Sequence, residues 1–406
     1  MRTCFLLALA MGAVMLMGVA APLDGAKLAV QGGIDGRQVP VSLPCAAATN
    51  AAKITVENTA TGAVYPATLR GGELSFVVED LQAKEGALCA VHLSDAAGKA
   101  RVTIRKQDDA QALDVRIDGA LFTAYHYTND NKKPFLWPVN GEGGVGLTRD
   151  YPMAEIPQED ARDHPHHKSL WVAYGDVNGV DAWGEGEASG FQHSGEVTWG
   201  SGDAYGWIHA KNTWQDKDHK PVITEEREYR FYATRESARL IDVTVTLRAD
   251  HGDVTLKDTK EGGLVALRMR PELCGDRGHI TNALGDKGEG TCWGKPSPWC
   301  DYAGELDGIG WRGITVFDHP GNLRYPTSWH VRSYGLMGAN CFGYSYFSEK
   351  AHNKGLIPEN GDFDIRAGDQ QVFHYRVYVH SGDVDQAAVA DHYADYAKTP
   401  EARWVD

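Results

Sequence analysis

The period of the apolar residues constrains this chain most. Over residues 240–247, Ile241, Val243, Val245 and Leu247 fall on one side, and Asp242, Thr244 and Thr246 on the other. Residues 372–379 repeat the pattern, with Phe373, Tyr375, Val377 and Val379 opposite His374, Arg376 and Tyr378. A period of two fits a half-buried strand and places no apolar stripe on a helix. Residues 228–233 and 313–317 read as further strands. Only residues 384–398 carry helical spacing, with Val389, Tyr393 and Tyr396 along one side. Nearly 300 residues of antiparallel strands without an internal repeat predict an all-β chain whose main unit, 112–406, is a large two-sheet supersandwich ending in a helix.

Ahead of it, residues 25–110 predict a small, separate β-sandwich module, Ig-like or carbohydrate-binding-like. Its short apolar runs are split by turn signals at Thr61-Gly62 and Arg70-Gly71-Gly72, and a polar linker follows near 106–111. Residues 1–20 read as a signal peptide: Arg2 opens it, residues 5–19 are apolar, and Gly18-Val19-Ala20 offers a cleavage site after Ala20. The expected location is therefore periplasmic or secreted. No later apolar stretch is long enough to span a bilayer, so no membrane partner is expected after signal removal.

The net charge of −15 argues against nucleic acid, which needs a basic footprint. The 46 glycines and 11 tryptophans fit a loop-rich β protein with aromatic platforms for a small carbohydrate ligand. Of seven cysteines, Cys4 lies in the signal; Cys45, Cys89, Cys274, Cys292, Cys300 and Cys341 remain. Their even number permits disulfides in an exported chain, with Cys45–Cys89 closing the module.

Chemistry concentrates in three motifs. Asp163-His164-Pro165-His166-His167-Lys168-Ser169-Leu170-Trp171 places three imidazoles beside an apolar run. Pro165 holds His164 out of the helical region, and in an extended segment His166 and His167 would point apart, so at most two rings are expected to share a site. His164, His166 and His167 are candidate ligands for a divalent metal, although the spacing is not that of a helical metal motif. Asp176-Val177-Asn178-Gly179-Val180-Asp181 follows; Asn178-Gly179 reads as a tight turn rather than half of a calcium loop. The second motif, Lys257-Asp258-Thr259-Lys260-Glu261-Gly262-Gly263, sets Glu261 as an acid or base beside Lys260. In the third, Trp329-His330-Val331-Arg332-Ser333-Tyr334, alternation puts His330, Arg332 and Tyr334 on one strand face.

In this order, together with Thr148-Arg149-Asp150-Tyr151-Pro152 and Phe317-Asp318-His319-Pro320, the motifs resemble the exported bacterial proteins grouped as PmoA-like, labelled methane oxygenase PmoA, over about residues 113–397. The resemblance implies a galactose mutarotase-like supersandwich and a setting in carbohydrate degradation. The leading expectation is a glycoside hydrolase or lyase acting on sugars or keto-glycosides. His166 or His167 would work with Glu261 as the catalytic proton-transfer pair. Lys260, Asp258, His330, Arg332, Trp171, Asp176 and Asn178 would bind substrate. The alternatives are a sugar-binding protein without chemistry and, from the family label, a metal-dependent oxidoreductase.

Overall fold

The computed structural model describes residues 22–31, 36–81, 86–96, 98–157 and 161–405. The expected signal peptide, 1–20, lies outside the described residues. The chain is nearly all β. Its main body is two eight-stranded antiparallel sheets facing one another.

The first sheet runs, edge to edge, through Trp329–Val331, Leu336–Ala339, Gly262–Arg268, Leu170–Tyr174, Phe135–Val139, Ala120–His126, Ala112–Ile117 and Val102–Lys106. The second runs through Phe191–Gly200, Tyr205–Gln215, Pro221–Tyr232, Ala238–Arg248, Gln370–Ser381, Gly310–Asp318, Trp299–Leu306 and Gly278–Asn282. The two segments with the clearest alternation are neighbours in it. Ile241 pairs with Val377, Val243 with Tyr375 and Val245 with Phe373. All six are buried in the core between the sheets, where their apolar faces meet Leu170, Val172 and Leu267 of the first sheet. Burying such side chains contributes about 1.5–3 kcal/mol each, which fixes the register because a one-residue slip would expose them all.

The outer face of the second sheet is covered. Leu240, Phe317 and Tyr378 pack under Val389 and Tyr396 of the C-terminal helix Val389–Ala397, and Val77 of the N-terminal module joins them. The helix is shorter than the spacing of 384–398 predicted. Asp383 Oδ1 accepts the amides of Asp385 and Gln386, holding the preceding residues in a turn.

The N-terminal module is one seven-stranded antiparallel sheet rather than two stacked ones, and its last member, Glu401–Val405, pairs with Lys27–Gln31. Its two edge strands, Gly36–Pro44 and Glu401–Val405, come back into contact, and Trp404 Nε1 donates to the Pro44 carbonyl at 2.7 Å. The sheet thus rolls around its own core. Of the expected linker, Lys106 ends the strand Val102–Lys106 and residues 107–111 form the turn of its hairpin with Ala112–Ile117 of the main body.

The expected disulfides are not formed: all six described cysteines are free thiols. Cys45 and Cys89 act as small apolar fillers of the module core. Burial pushes the Cys89 thiol up to about 11, away from the reactive thiolate. Closure comes from the returning strand instead. Among the described residues no helix is long and apolar enough to cross a membrane.

Candidate functional site

The outer face of the first sheet is built differently from that of the second. Register places Trp171 opposite Ala266, Ala266 opposite Gly338 and Gly338 opposite His330, one row across four strands. Paired residues share a face, so two large rings bracket two residues with almost no side chain. Adjacent strands lie about 4.8 Å apart, so the row spans roughly 14 Å. Above it lies a cavity of about 540 Å³, walled by the three motifs. The walls include His164, His166, His167, Lys260, Glu261, His330, Arg332 and Tyr334.

All three histidines of the first motif line this cavity, which corrects the expectation that at most two would. The segment is a turn, not an extended strand. His164 has φ +44°, and the His167 amide donates to the His164 carbonyl at 2.9 Å. The rings therefore gather: His164 lies parallel to His167 at 4.8 Å, and His166 meets His167 edge-on at 4.4 Å. Trp171 stacks beneath His167 at 5.2 Å.

Their hydrogen bonds differ in sense. His164 Nδ1 lies 2.5 Å from Asp163 Oδ2. An ionised carboxylate only accepts, so the His164 proton sits on Nδ1 and leaves Nε2 as the acceptor of the neutral ring. Burial disfavours the Asp163 charge, but bonds from His164 and Arg268 outweigh it and hold the carboxyl below its ordinary range. Arg149 also reaches Asp163, at 3.1 Å. His167 Nδ1 faces Arg268 Nη1 at 3.1 Å, and its Nε2 is buried with no partner among the described protein atoms. Burial, then His166 and Arg268, drives the His167 pKa far below its ordinary value. His166 is lowered to about 4 by burial and by Lys133. His166 and His167 are therefore uncharged at neutral pH.

His330 faces the cavity because Trp329 and Val331 on either side point into the sandwich core. Burial, followed by Arg332 and Lys260, lowers its pKa to about 3. The strand expected through Tyr334 stops at Val331, and residues 333–334 form a turn. Arg332 and Tyr334 reach the same walls through that turn, and Tyr334 stacks on His164 at 5.3 Å. Lys260 and Glu261 form an adjacent ion pair in the lining of the same cavity.

Four expected substrate contacts stand behind the walls instead. Trp171 is fully buried as the platform under His167. Asp258 accepts both the amide and hydroxyl of Ser345 and the Gly361 amide, pinning the loop that holds them. Asp176 accepts the Gly179 amide within the Asn178-Gly179 turn. Asn178 ties that turn to Thr255 at 2.7 Å and to the Asp253 carbonyl at 2.9 Å.

As a metal centre the donor set does not fit. Two of the rings are stacked face to face, so their in-plane lone pairs cannot converge on one point, and two ring nitrogens already face Asp163 and Arg268. Among the described residues no group of three or more His, Cys, Asp or Glu side chains is arranged to hold an ion.

Sequence reasoning missed Glu289, Trp183 and Arg268. Glu289, from the short helix Glu289–Cys292, takes bonds from Arg332 (2.8 Å) and the Ser333 amide (2.7 Å). Burial opposes its charge, but these bonds hold its carboxyl below the usual range. Arg268 ends the otherwise apolar strand Gly262–Arg268, and a guanidinium closing such a run was the legible signal.

Structurally, the chain is similar to an alpha-mannosidase from Enterococcus faecalis V583, with 10% identity and a TM-score of 0.45, over 95% of this chain and 46% of that one. It thus spans about half the mannosidase's length. It is also similar to galactose 1-epimerase from Lactobacillus acidophilus NCFM, with 6% identity and a TM-score of 0.33, over 70% of this chain and 99% of the other. No curated protein matches the chain. The family model that matches covers residues 112–394, almost the stretch over which the motifs resemble the PmoA-like proteins, and its description does not carry the PmoA label. The chain belongs to the family that this model describes, the family of unknown function DUF6807.

Proposed function

We propose that the chain is an exported carbohydrate-active enzyme, a glycoside hydrolase or lyase acting on sugars or keto-glycosides in the cavity over the first sheet. The observation that carries this reading is His164 on the cavity wall with its Nδ1 2.5 Å from Asp163 Oδ2. A carboxylate holding Nδ1–H fixes the ring so that Nε2 faces its task as a base, the arrangement general-base histidines need. His164 therefore takes the base role that the sequence suggested for His166 or His167, because no hydrogen bond among the described residues orients His166. Glu261, beside Lys260, is its partner for proton transfer. Arg332 and Lys260 bind ring oxygens and charge that develops on them, and Trp183 and Tyr334 offer aromatic surface.

The test is turnover of a glycoside panel by purified protein and by the single variants His164→Ala and Glu261→Ala. Product from the wild type and at least a hundredfold loss in both variants are expected. Sugar binding by calorimetry with no product on long incubation would replace the enzyme with a binder. Export is tested by N-terminal sequencing of the mature protein, expected to begin at Ala21.

A further inference from the structure

We infer that Arg268 is a positioning residue that fixes His167 as a permanent N–H donor, so that the ligand atom seated against His167 is an acceptor oxygen, a carbonyl or a developing oxyanion. This deepens the enzymatic reading above and rests on it for the identity of the ligand.

The argument starts from the guanidinium. Arginine donates in every protonation state found in proteins and never accepts. Its Nη1 lies 3.1 Å from His167 Nδ1, so that nitrogen must present its lone pair and the ring proton must sit on Nε2. Turning the ring over would set a C–H against the guanidinium and forfeit the bond. The ring has little freedom to turn, held between His164 at 4.8 Å and Trp171 at 5.2 Å, both nearly parallel to it.

Arg268 is itself fixed. Asp163 takes its Nη2 at 3.1 and 3.2 Å, and both Arg268 and His167 are almost wholly buried. His167 Nε2–H is then a buried donor on a cavity wall with no partner among the described protein atoms. Trp183, another wall residue edge-on to His167 at 5.6 Å, holds a second buried N–H without one. An unpaired buried donor carries a desolvation cost, which a ligand oxygen recovers on binding. A neutral imidazole polarised by a cation behind it suits an oxygen gaining negative charge.

Asp163 thus gives neighbouring rings opposite roles. It accepts from His164 directly, freeing an acceptor nitrogen, and it clamps the arginine that makes His167 a donor.

Histidine-selective 15N NMR of the ligand-free protein tests this, with His167→Gln identifying the His167 signals. The expected spectrum at neutral pH has a protonated Nε2 and an unprotonated Nδ1. Arg268→Met should mix the tautomers, and Arg268→Lys, still a donor, should restore the Nε2–H form. A wild-type proton on Nδ1 overturns the inference whether or not any glycoside reacts. Should Arg268→Met not fold, the wild-type spectrum still decides. The expected tautomer without turnover of any panel member would sink the enzymatic reading and leave Arg268's role intact. For the ligand atom, an aldonolactone, which has a carbonyl oxygen, should bind at least tenfold tighter than the matching 1,5-anhydroalditol, which lacks it. Equal affinities, or binding of neither, overturn the acceptor-oxygen assignment.

Discussion

The sandwich has two outer faces, and they solve the same problem in opposite ways. On the second sheet, Leu240, Phe317 and Tyr378 are sealed by the helix Val389–Ala397. On the first, Trp171 and His330 stand apart across Ala266 and Gly338, and loops wall the gap without filling it. Closing a face with a helix yields stability alone. Leaving the other open under a rim of motifs yields a cavity whose buried polar atoms lack protein partners. Substitutions on the two faces should therefore separate stability from activity.

The largest effect belongs to the open face. His164→Ala should lower kcat by about 10²- to 10⁴-fold, the range for losing a positioned base, while urea denaturation shows stability within about 0.5 kcal/mol of wild type. A matching fall in stability would mean that the open face is scaffold too. On the sealed face the signs reverse. Phe317→Ala should cost about 3–5 kcal/mol in denaturant titrations, because it opens a cavity under the helix. Its kcat per folded molecule should be unchanged.

A pH series sharpens the comparison further. His330 has its folded pKa lowered to about 3, against an unfolded value near 6.5. Below 6.5 the unfolded chain therefore binds the proton that the folded one refuses, and stability falls with pH until about 3. Between pH 7 and pH 5 this amounts to about 2 kcal/mol. His330→Asn should make that part of the profile shallower by this amount, with His166 and His167, lowered likewise, supplying the slope that remains. An unchanged slope would argue that His330 does not contribute. The smallest effect is expected where neither face is involved: Lys211→Ala, breaking the exposed pair with Glu196, should change stability by less than about 1 kcal/mol.

The sequence carried the strands and the three motifs because both are local. A period of two survives in any half-buried strand, and the motifs are short strings that each supply a wall. What it could not carry was the joining of distant residues. Nothing near Glu289 signals that it will meet Arg332, and nothing in 163–169 shows a turn gathering three rings rather than a strand splaying them. Asp258 and Asn178 look like ligand contacts in a string, since the same acceptors that hold sugars also hold loops. The disulfide expectation failed for a related reason: an even cysteine count says nothing of distance, and burial alone accounts for Cys45 and Cys89.

The strand Glu401–Val405 also sets a schedule. Domains usually fold in the order in which the ribosome releases them. Here the N-terminal sheet cannot complete its roll until residues 401–405 have been synthesised and reach Lys27–Gln31. A unit translated ahead of the sandwich is thus finished only after it. Until then Leu28 and Val30 lie in a strand with one unpaired edge, open to any passing chain able to pair with it.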